Sequence, residues 1–449
     1  MRTRSTAVAC AAVLVIGAAT TSGTAYAAPA VSTTVAVDQA GAVQLFTQSH
    51  PDRYAGVVLD EANRSLRVYA KRAGVSAATT DLGRFAAGLP KRSTLDAAAT
   101  SAPLRVTVVP VERALQDLNR VMAAVERSEP FASLVRDRLA VWHVDPGTNR
   151  VRVGLTTVTP ADRAAAAETF GDLVEVVQHD RQRAASTRYR VPNGVKVERQ
   201  AVTRQATSAA LAAVPNRRLD SMPYYGATRV VRTWVQDGQT WVGECTVAFQ
   251  VYVNGGSTRN QTTAGHCAPT GTVWQQGYFD RAASTIRTTG IMGTTSSVQW
   301  GNNRMDAATI RGGSYWVGAV YTGSNFSEIS YGVAGRRAVV VGDSVCADGS
   351  TTGSNCGGRI TGVNACISLD DHGTIVRVCN QALARSDNAL SQPGDSGGPV
   401  FKLSAGNPNR VDAVGIISGG NDPGTSMNFT QWTNVEPTFG VTVGVGNPA

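Results

Sequence analysis

One short motif near the C-terminus, residues 394–399, limits the folds that this chain can adopt. It reads Gly394-Asp395-Ser396-Gly397-Gly398-Pro399. Glycines around a serine permit a tight turn, which exposes the hydroxyl and the neighbouring backbone N–H groups to one atom. Similar spacing occurs in α/β-hydrolases, where a histidine follows the serine. No histidine follows Ser396 in this sequence, so that arrangement is excluded.

A base and an acid for Ser396 must therefore come from earlier in the chain. A serine hydroxyl becomes nucleophilic when an imidazole accepts its proton and a carboxylate orients the imidazole. We favour His266, because a disulfide at the adjacent cysteine can hold it in place; His372 is interpreted as a solvated turn residue. For the acid we favour Asp306, which opens an apolar run. Asp280, in an Arg-flanked polar loop, is the alternative.

Residues 1–27 are predicted to be a secretory signal. Arg2 and Arg4 precede an apolar run at 7–19, and small residues precede the expected cleavage before Ala28. The run is shorter than the ~20 apolar residues that a membrane helix needs, and no later stretch approaches that length. The sequence therefore predicts a secreted protein with no membrane partner.

The composition changes near residue 219. Residues 28–218 contain 26 Lys and Arg against 18 Asp and Glu and no cysteine, whereas residues 219–449 are nearly neutral and contain six cysteines. The positive charge lacks aromatic interleaving and compact runs, so nucleic acid is not expected as a partner. Six cysteines in an exported segment predict three disulfides. No residue set has metal-ligand spacing, and neither a metal nor another cofactor is expected.

Residues 28–218 are predicted to form an α+β region. Two hairpin patterns, at 56–69 and 141–155, suggest a weak internal duplication. The further elements expected are a strand at 106–109, a helix at 111–129, a helix at 160–170 and a strand at 173–177. The last part, 181–218, is expected to be a linker.

Residues 219–449 are predicted to be all-β. Gly, Thr, Ser and Val dominate, and short β-rich runs alternate with Gly and Asn turns. The clearest runs are 240–253, 272–275, 338–341 and 411–417.

Two motifs resemble those of the chymotrypsin-like serine endopeptidases. The stretch 263–267, Thr-Ala-Gly-His-Cys, resembles the histidine motif, and 394–399 resembles the serine motif. The resemblance covers residues 225–445 and is nearest to the secreted bacterial branch of streptogrisins and alpha-lytic protease. Two further stretches, 349–353 and 417–421, also resemble that branch. It implies a catalytic domain of two six-stranded antiparallel β-barrels with a triad in the cleft between them. The implied triad is His266, Asp306 and Ser396.

The resemblance further implies peptide-bond hydrolysis through an acyl-enzyme. The chain would comprise a signal (1–27), a pro-region (28–218) and a monomeric protease (219–449) acting on proteins or peptides. The pro-region would act as an intramolecular chaperone and inhibitor until it is cut within the linker, where Arg217 and Arg218 are expected to be accessible. An esterase and a non-proteolytic binding protein on the same fold are the alternatives.

The resemblance also assigns the remaining site residues. The N–H groups of Gly394 and Ser396 would hold the oxyanion. Ser418 would support Asp306, and 418–420 would pair with the substrate backbone. The substrate-binding residues expected are Leu390, Pro393, Ile417, Ser418, Gly419 and Gly420. Because Leu390 lies at the implied pocket base without a charged neighbour, cleavage after medium or large apolar residues is expected.

The expected disulfides are Cys245–Cys267, Cys346–Cys356 and Cys366–Cys379. The first resembles the family's bridge beside the histidine, and the other two close short sequential loops. The sequence lacks an Ile-Val-Gly-Gly stretch near 200–245, which marks the activated N-terminus of the animal enzymes.

Overall fold

The computed structural model describes residues 30–90, 103–202, 215–312, 316–405 and 407–447. The predicted signal, 1–27, lies outside these ranges. Among the described residues, no helix is both long enough and apolar enough to cross a membrane.

The N-terminal region begins with a four-stranded sheet in the order β1-β4-β3-β2. Its elements are β1 (Ala30–Val35), α1 (Ala40–Gln48), β2 (Tyr54–Asp60), β3 (Ser65–Lys71), α2 (Val75–Gly88) and β4 (Leu104–Val111). The hairpin β2–β3 is antiparallel, and β4 lies parallel to β3. Apolar side chains from the strands and from both helices form one core, which includes Val43, Leu59, Val68 and Leu82.

A second unit repeats this hairpin, helix and parallel-strand order. Its elements are α3 (Leu115–Ala124), α4 (Phe131–Val135), β5 (Leu139–Asp145), β6 (Arg150–Leu155), α5 (Pro160–Phe170) and β7 (Val174–Gln178). The strands β5 and β6 are antiparallel, and β7 is parallel to β6. The internal duplication expected from the sequence is therefore present.

The helix predicted at 111–129 is shorter in the structure. The preceding strand, β4, continues through Val111, and the helix starts after Ala114, whose N–H donates to the Asp117 carboxylate 3.3 Å away. This N-terminal cap sets the first turn, and the helix ends at Ala124. Leu118 and Val125 still pack into the core of the second unit, as their spacing indicated.

The first barrel is built from the first half of the 219–449 segment. Its strands are β12 (Arg229–Gln236), β13 (Gln239–Thr246), β14 (Gln250–Val253), β15 (Arg259–Thr263), β16 (Val273–Asp280), β17 (Thr285–Gln299) and β18 (Ala307–Arg311). The predicted run 240–253 is one bent strand whose two ends are β13 and β14. Because β13 pairs with β12 and β14 pairs with β15, this bent strand closes a six-stranded barrel.

The second barrel is closed by backbone pairing alone. Its strands are β21 (Ser344–Gly349), β22 (Gly353–Asp371), β23 (Thr374–Arg385), β24 (Pro399–Leu403), β25 (Arg410–Gly420) and β26 (Ser426–Gln431). The antiparallel ladder runs β21-β22-β23-β26-β25-β24 and returns to β21. The remaining elements are β11 (Tyr224–Gly226), β19 (Trp316–Tyr321), β20 (Ser330–Arg336), α6 (Trp432–Phe439) and β27 (Val441–Val443).

The strand predicted at 338–341 is not formed. The segment is apolar, with Val339 and Val340 buried, but it pairs at a single position, Val341 with Val58. Its side chains pack in two directions, Val340 into the core of the first unit and Val339 into the core of the second barrel. A buried apolar run is therefore not sufficient evidence of a strand.

The N-terminal region contacts the second barrel at two places. In the first unit, the N–H of Leu59 donates to the Val341 carbonyl oxygen at 2.8 Å. In the second unit, β5 pairs antiparallel with the long hairpin strand β22, joining Trp142 to Cys366 and Val141 to Ile367. The sheet of the second barrel thus continues through β22 into β5, β6 and β7.

The segment 181–218 is not the flexible linker expected from the sequence. It contains β8 (Gln182–Ala184), β9 (Thr187–Val191) and β10 (Lys196–Arg199). These strands pair with β22 and β25, with β13, and with β17, respectively. Each strand is thus held against a barrel; the part at 203–214 lies outside the described residues.

Arg217 is also not accessible, in contrast to the expectation. Its side chain is 0% exposed and forms an ion pair with the equally buried Asp348, and its guanidinium donates to the Gly349 carbonyl oxygen at 2.9 Å. Burial raises the pKa of Asp348 to about 7, although Arg217 opposes this shift. The pair anchors the start of the all-β segment to the second barrel.

We predict that Arg217→Ala lowers the free energy of unfolding by about 3–5 kcal/mol, because it leaves a buried carboxylate without its partner. The loss should be larger at about pH 8 than at about pH 5, since the unpaired Asp348 becomes protonated in the folded state at low pH. Urea unfolding should be measured with Ser396→Ala also present, so that the nucleophile expected from the sequence is absent. Arg72→Ala is the control, because the Arg72–Glu112 pair is exposed and should contribute at most about 1 kcal/mol. Equal effects in the two variants would contradict a structural role for the buried pair.

Candidate active site

Three side chains distant in sequence form one hydrogen-bonded row between the barrels. His266 lies in a 3-10 helix, Gly265–Cys267, directly after β15, Asp306 precedes β18, and Ser396 precedes β24. His266 Nδ1 lies 2.8 Å from Asp306 Oδ2, and His266 Nε2 lies 2.7 Å from Ser396 Oγ. A carboxylate only accepts hydrogen bonds, so Nδ1 carries the proton and Nε2 accepts from the serine hydroxyl. The row can therefore move a proton from Ser396 to His266.

The carboxylate of Asp306 is held at both oxygens. Its Oδ1 accepts the backbone N–H of His266 at 3.0 Å, and the side chain is fully buried. The backbone of Asp306 is fixed by Thr430 in the second barrel, whose hydroxyl accepts the Asp306 N–H at 3.2 Å and donates to its carbonyl oxygen at 2.7 Å. The alternative, Asp280, instead accepts from the Ala283 N–H and pairs with Arg287.

The pKa of His266 is raised above that of an ordinary imidazole. Burial acts in the opposite direction and is the largest single influence, but the charge and the hydrogen bond of Asp306 together outweigh it, with a further contribution from Asp371. The folded protein therefore favours the imidazolium, the form that exists after His266 has accepted a proton.

Two backbone N–H groups converge on one oxygen beside Ser396. The N–H groups of Gly394 and Ser396 both donate to the carbonyl oxygen of Ala185, at 2.6 and 3.0 Å. Gly394 has φ of +106°, and a Cβ atom there would lie 2.2 Å from Thr351 Oγ1, so only glycine fits this turn. These are the two N–H groups that the resemblance led us to expect as donors to an oxyanion.

The carboxylate of Asp395 fixes the conformation of this turn through hydrogen bonds. Its Oδ1 accepts the N–H groups of Thr351 and Thr352 at 2.7 and 3.2 Å, and its Oδ2 accepts the Gln392 N–H at 2.8 Å. Burial raises the pKa of Asp395, against these hydrogen bonds. The partners all lie within the chain's interior sequence, so the turn is ordered without a free N-terminal amine. Sequence analysis missed this role, although Asp395 lies inside the motif.

Ser418 does not support Asp306 in the way that the resemblance implied. Its buried hydroxyl makes no hydrogen bond among the described residues, and Thr430 contacts the Asp306 backbone instead. The Ser418 carbonyl oxygen accepts the Ala185 N–H at 3.2 Å. Gly419 and Gly420 pair antiparallel with Ala184 and Arg183.

Three of the expected substrate-binding residues, Leu390, Pro393 and Ile417, lie in different environments. Leu390 and Ile417 are fully buried in the core of the second barrel, where they pack with Val345, Ile360 and Phe429. Pro393 is exposed at the surface. Neither Leu390 nor Ile417 presents side-chain surface to solvent in this structure.

The six cysteines form the three expected pairs, Cys245–Cys267, Cys346–Cys356 and Cys366–Cys379. The first bridge joins β13 to the short helix that carries His266, beside Trp274 in the first barrel's core. The third joins the hairpin strands β22 and β23, where they pack against the N-terminal region. This third disulfide therefore cross-links the surface that the N-terminal region contacts.

Two further rings lie near the row, the indole of Trp300 and the imidazole of His372, and the sequence analysis assigned neither to the site. The Trp300 ring lies 5.3 Å from the His266 ring, centroid to centroid, and shields one side of it. His372 is a turn residue, as predicted, but its Nε2 lies 3.2 Å from Ser186 Oγ, and burial lowers its pKa. Only the folding of the β22–β23 hairpin over the cleft brings this turn near His266.

Part of the chain is similar to known proteins. The chain is 30% identical to streptogrisin-C of Streptomyces griseus over 213 residues, which are 46% of this chain and 40% of that protein. The chain thus matches less than half the length of this relative. No protein-family model matches the sequence.

Solved structures similar to the chain include the alpha-lytic protease homolog N4 and the chymotrypsin of Cellulomonas bogoriensis. Each is 26% identical and covers 49% of this chain, with 97% and 98% of its own length and TM-scores of 0.35 and 0.34. The predicted fold class, two antiparallel β-barrels behind an α+β region, is confirmed. The sequence similarity to streptogrisin-C agrees with the resemblance to the bacterial branch that the two motifs indicated.

We predict that Asp306→Asn lowers the pKa of His266, because burial then acts without the opposing carboxylate charge. The imidazole resonances should be titrated by NMR in full-length protein carrying Ser396→Ala. Asp280→Asn is the matched control and should leave the His266 titration unchanged. A lower His266 pKa in the Asp280 variant, but not in the Asp306 variant, would reverse the assignment.

Proposed function

We propose that this chain is a secreted serine endopeptidase that hydrolyses peptide bonds through an acyl-enzyme. The observation that carries the proposal is the hydrogen-bonded row of Asp306, His266 and Ser396 beside two convergent N–H groups. The similarity to streptogrisin-C supports it, and three disulfides fit an oxidising, extracellular compartment.

The proposed reaction begins when Ser396 Oγ attacks the substrate carbonyl carbon and His266 Nε2 takes the hydroxyl proton. The raised pKa of His266 stabilises the imidazolium, and Asp306 keeps the ring in the required tautomer. The N–H groups of Gly394 and Ser396 stabilise the oxyanion, each contributing about 2.7–4 kcal/mol. His266 then protonates the leaving amine, and water hydrolyses the acyl-enzyme with the same residue as base. Because neutral His266 is the base, activity should rise with pH through its raised pKa.

An esterase with the same triad is the second candidate. Both activities use an acyl-enzyme, but only a peptidase must protonate an amine leaving group. Comparing a peptide amide with its matched ester distinguishes the two, since hydrolysis of the ester alone would favour an esterase. A non-proteolytic binding protein is less favoured, because every member of the row is present and hydrogen-bonded.

We expect Ser396→Ala and His266→Ala each to reduce kcat by about 10⁶-fold, and the double variant to be little worse, because triad members act as a unit. Activity on a fluorogenic peptide provides the measurement. Ser324→Ala, at an exposed turn, is the control and should retain full activity. A serine-directed fluorophosphonate should label Ser396, and labelling of another residue would contradict the assignment.

The N-terminal region is proposed to be a pro-region that assists folding and inhibits the protease. It docks through β5 on the β22 strand and through an ion pair of 2.7 Å between Glu126 and Arg377. Each barrel contains pairings between strands distant in sequence, β12–β16 and β15–β18 in the first and β21–β24 and β23–β26 in the second, and such pairings make folding slow. A partner that extends a barrel hairpin can stabilise these long-range pairings before the barrels are complete. The boundary proposed from the sequence, residue 218, now needs revision, because 182–199 pairs with both barrels.

We predict that residues 181–449, refolded alone, recover little activity, and that adding residues 28–180 in trans speeds the recovery of native protein. The division falls between β7 and β8, where no strand is interrupted. Trp142→Ala in the added fragment should weaken the effect, since Trp142 pairs with the barrel hairpin, whereas Arg84→Ala, on an exposed helix face, should not. Full unaided refolding of 181–449, with no effect of the added fragment, would refute the pro-region proposal.

A further inference from the structure

Residues 182–191, here called the cleft segment, run through the candidate active site as an extended chain. On one side of Ser396, the strand β8 pairs with Gly419 and Gly420, and the N–H of Ala185 donates to the Ser418 carbonyl oxygen at 3.2 Å. This is the backbone pairing by which an added strand binds at a sheet edge. The segment thus lies in the cleft as a peptide substrate would.

The carbonyl group of Ala185 occupies the centre of the site. Its oxygen accepts from both N–H groups of the oxyanion hole, at 2.6 and 3.0 Å. Ser396 is fully buried, with its hydroxyl directed to His266 Nε2. The Ala185 carbonyl group is therefore held by the two N–H groups beside the proposed nucleophile, and the bond that follows it joins Ala185 to Ser186.

The chain continues on the far side of Ser396 without leaving the protease surface. Thr187 pairs with Glu244, and the antiparallel register continues to Val191 and Thr240. The guanidinium of Arg188 lies 5.3 Å from the Trp234 ring, and this cation–π contact also holds β9 on the first barrel. Both sides of the Ala185–Ser186 bond are therefore bound, as hydrolysis of a specific bond requires.

We propose that Ser396 cuts its own chain between Ala185 and Ser186, which rests on the proposed peptidase function. Ser396 Oγ bonds to the Ala185 carbonyl carbon, and its proton passes to His266. The C–N bond to Ser186 then breaks, and His266 gives that proton to the departing nitrogen. Water cleaves the resulting ester, which leaves a carboxylate on Ala185, a free amine on Ser186 and a regenerated Ser396.

The position of Ala185 also indicates which side chain the site accepts directly before the cleaved bond. The Ala185 side chain is a methyl group that is 4% exposed, so it is enclosed by the protein. The sequence led to an expectation of cleavage after medium or large apolar residues, whereas the residue presented to Ser396 is the smallest apolar one with a Cβ atom. The cleft is accordingly expected to bind substrates whose sequence resembles residues 182–186, Gln-Arg-Ala-Ala-Ser.

Cleavage at this bond leaves β9 as the N-terminal strand of the mature protein. Five residue pairs join β9 to β13, so Ser186–Val191 stays on the first barrel after the cut. The former candidates, Arg217 and Arg218, stay uncut within the mature chain, where Arg217 pairs with Asp348.

The test is to express the full chain and its Ser396→Ala variant and to sequence the N-terminus of each product. The wild type should yield a fragment that begins at Ser186, and the variant should remain joined across this bond. Cleavage of the variant at the same bond in a host that lacks the active enzyme would overturn self-cleavage. An active wild type that begins at another residue would overturn this junction while leaving the proposed peptidase function intact. A wild type that is uncut and inactive on all peptides would refute both.

Substitution at the cleaved bond tests the role of Ala185 directly. Ala185→Asp should slow processing by about 10- to 100-fold, because a charged side chain would be buried without a partner. Ala201→Asp, at an exposed position beyond the cleft segment, should process at the wild-type rate.

A peptide assay keeps the test decisive if Ala185→Asp fails to fold. A synthetic peptide with the sequence of residues 182–189 should be cut by the mature enzyme between its two residues corresponding to Ala185 and Ser186. The same peptide with Asp in place of that alanine should be cut about 10- to 100-fold more slowly. Equal rates on both peptides, or cleavage of the first at another bond, would contradict the proposal.

Discussion

The site depends on one buried carboxylate, Asp306, which faces an imidazole at the junction of the two barrels. Both oxygens of this carboxylate bind His266, one at the ring and one at the backbone. The second barrel fixes the backbone of Asp306 through Thr430. Because the row needs groups from both barrels, neither barrel alone can align it. The relative position of the barrels therefore determines the distance from His266 to Ser396.

A second buried carboxylate, Asp395, orders the turn that carries Ser396. Its hydrogen bonds come from backbone groups of Thr351, Thr352 and Gln392 and from the Thr352 hydroxyl, all of which are present in the full-length chain. The two N–H groups at Gly394 and Ser396 already point at one oxygen in the full-length protein. In the full-length chain the turn at Ser396 is therefore already ordered, and the Ala185 carbonyl oxygen lies at its two N–H groups.

The N-terminal region is joined to the second barrel through a hairpin, β22–β23, that extends beyond the barrel. The same hairpin pairs with β5 on the N-terminal side and with β8 in the cleft, and Cys366–Cys379 links its two strands. Docking of the N-terminal region and occupation of the cleft therefore share one structural element. Local pairing within the hairpin needs little loop closure, whereas β21–β24 and β23–β26, which complete the second barrel, join residues far apart in sequence. A partner that binds the hairpin can thus act before the barrels are complete.

The local pattern of residues determined much of this structure. The hairpins at 56–69 and 141–155, the helix at 160–170 and the change to an all-β segment all follow from hydrophobic periodicity and turn residues, which are local signals. The motifs around His266 and Ser396 likewise identified two members of the row, because glycine and cysteine neighbours restrict the backbone there. Leu390, which the resemblance placed at a pocket base, is buried among apolar side chains of the second barrel, and its position in a motif did not specify these neighbours.

Tertiary structure alone decided the features that depend on contacts between distant residues. The sequence favoured Asp306 over Asp280 because an apolar run follows it, but only the closing of the first barrel brings Asp306 within 2.8 Å of His266. The polar segment 181–202 has the composition of a linker, yet its backbone groups pair with both barrels. Backbone hydrogen bonding to an existing sheet edge requires no particular side chain, so composition carries no sign of it. For the same physical reason, the occupant of the cleft, Ala185, becomes evident only in the folded chain.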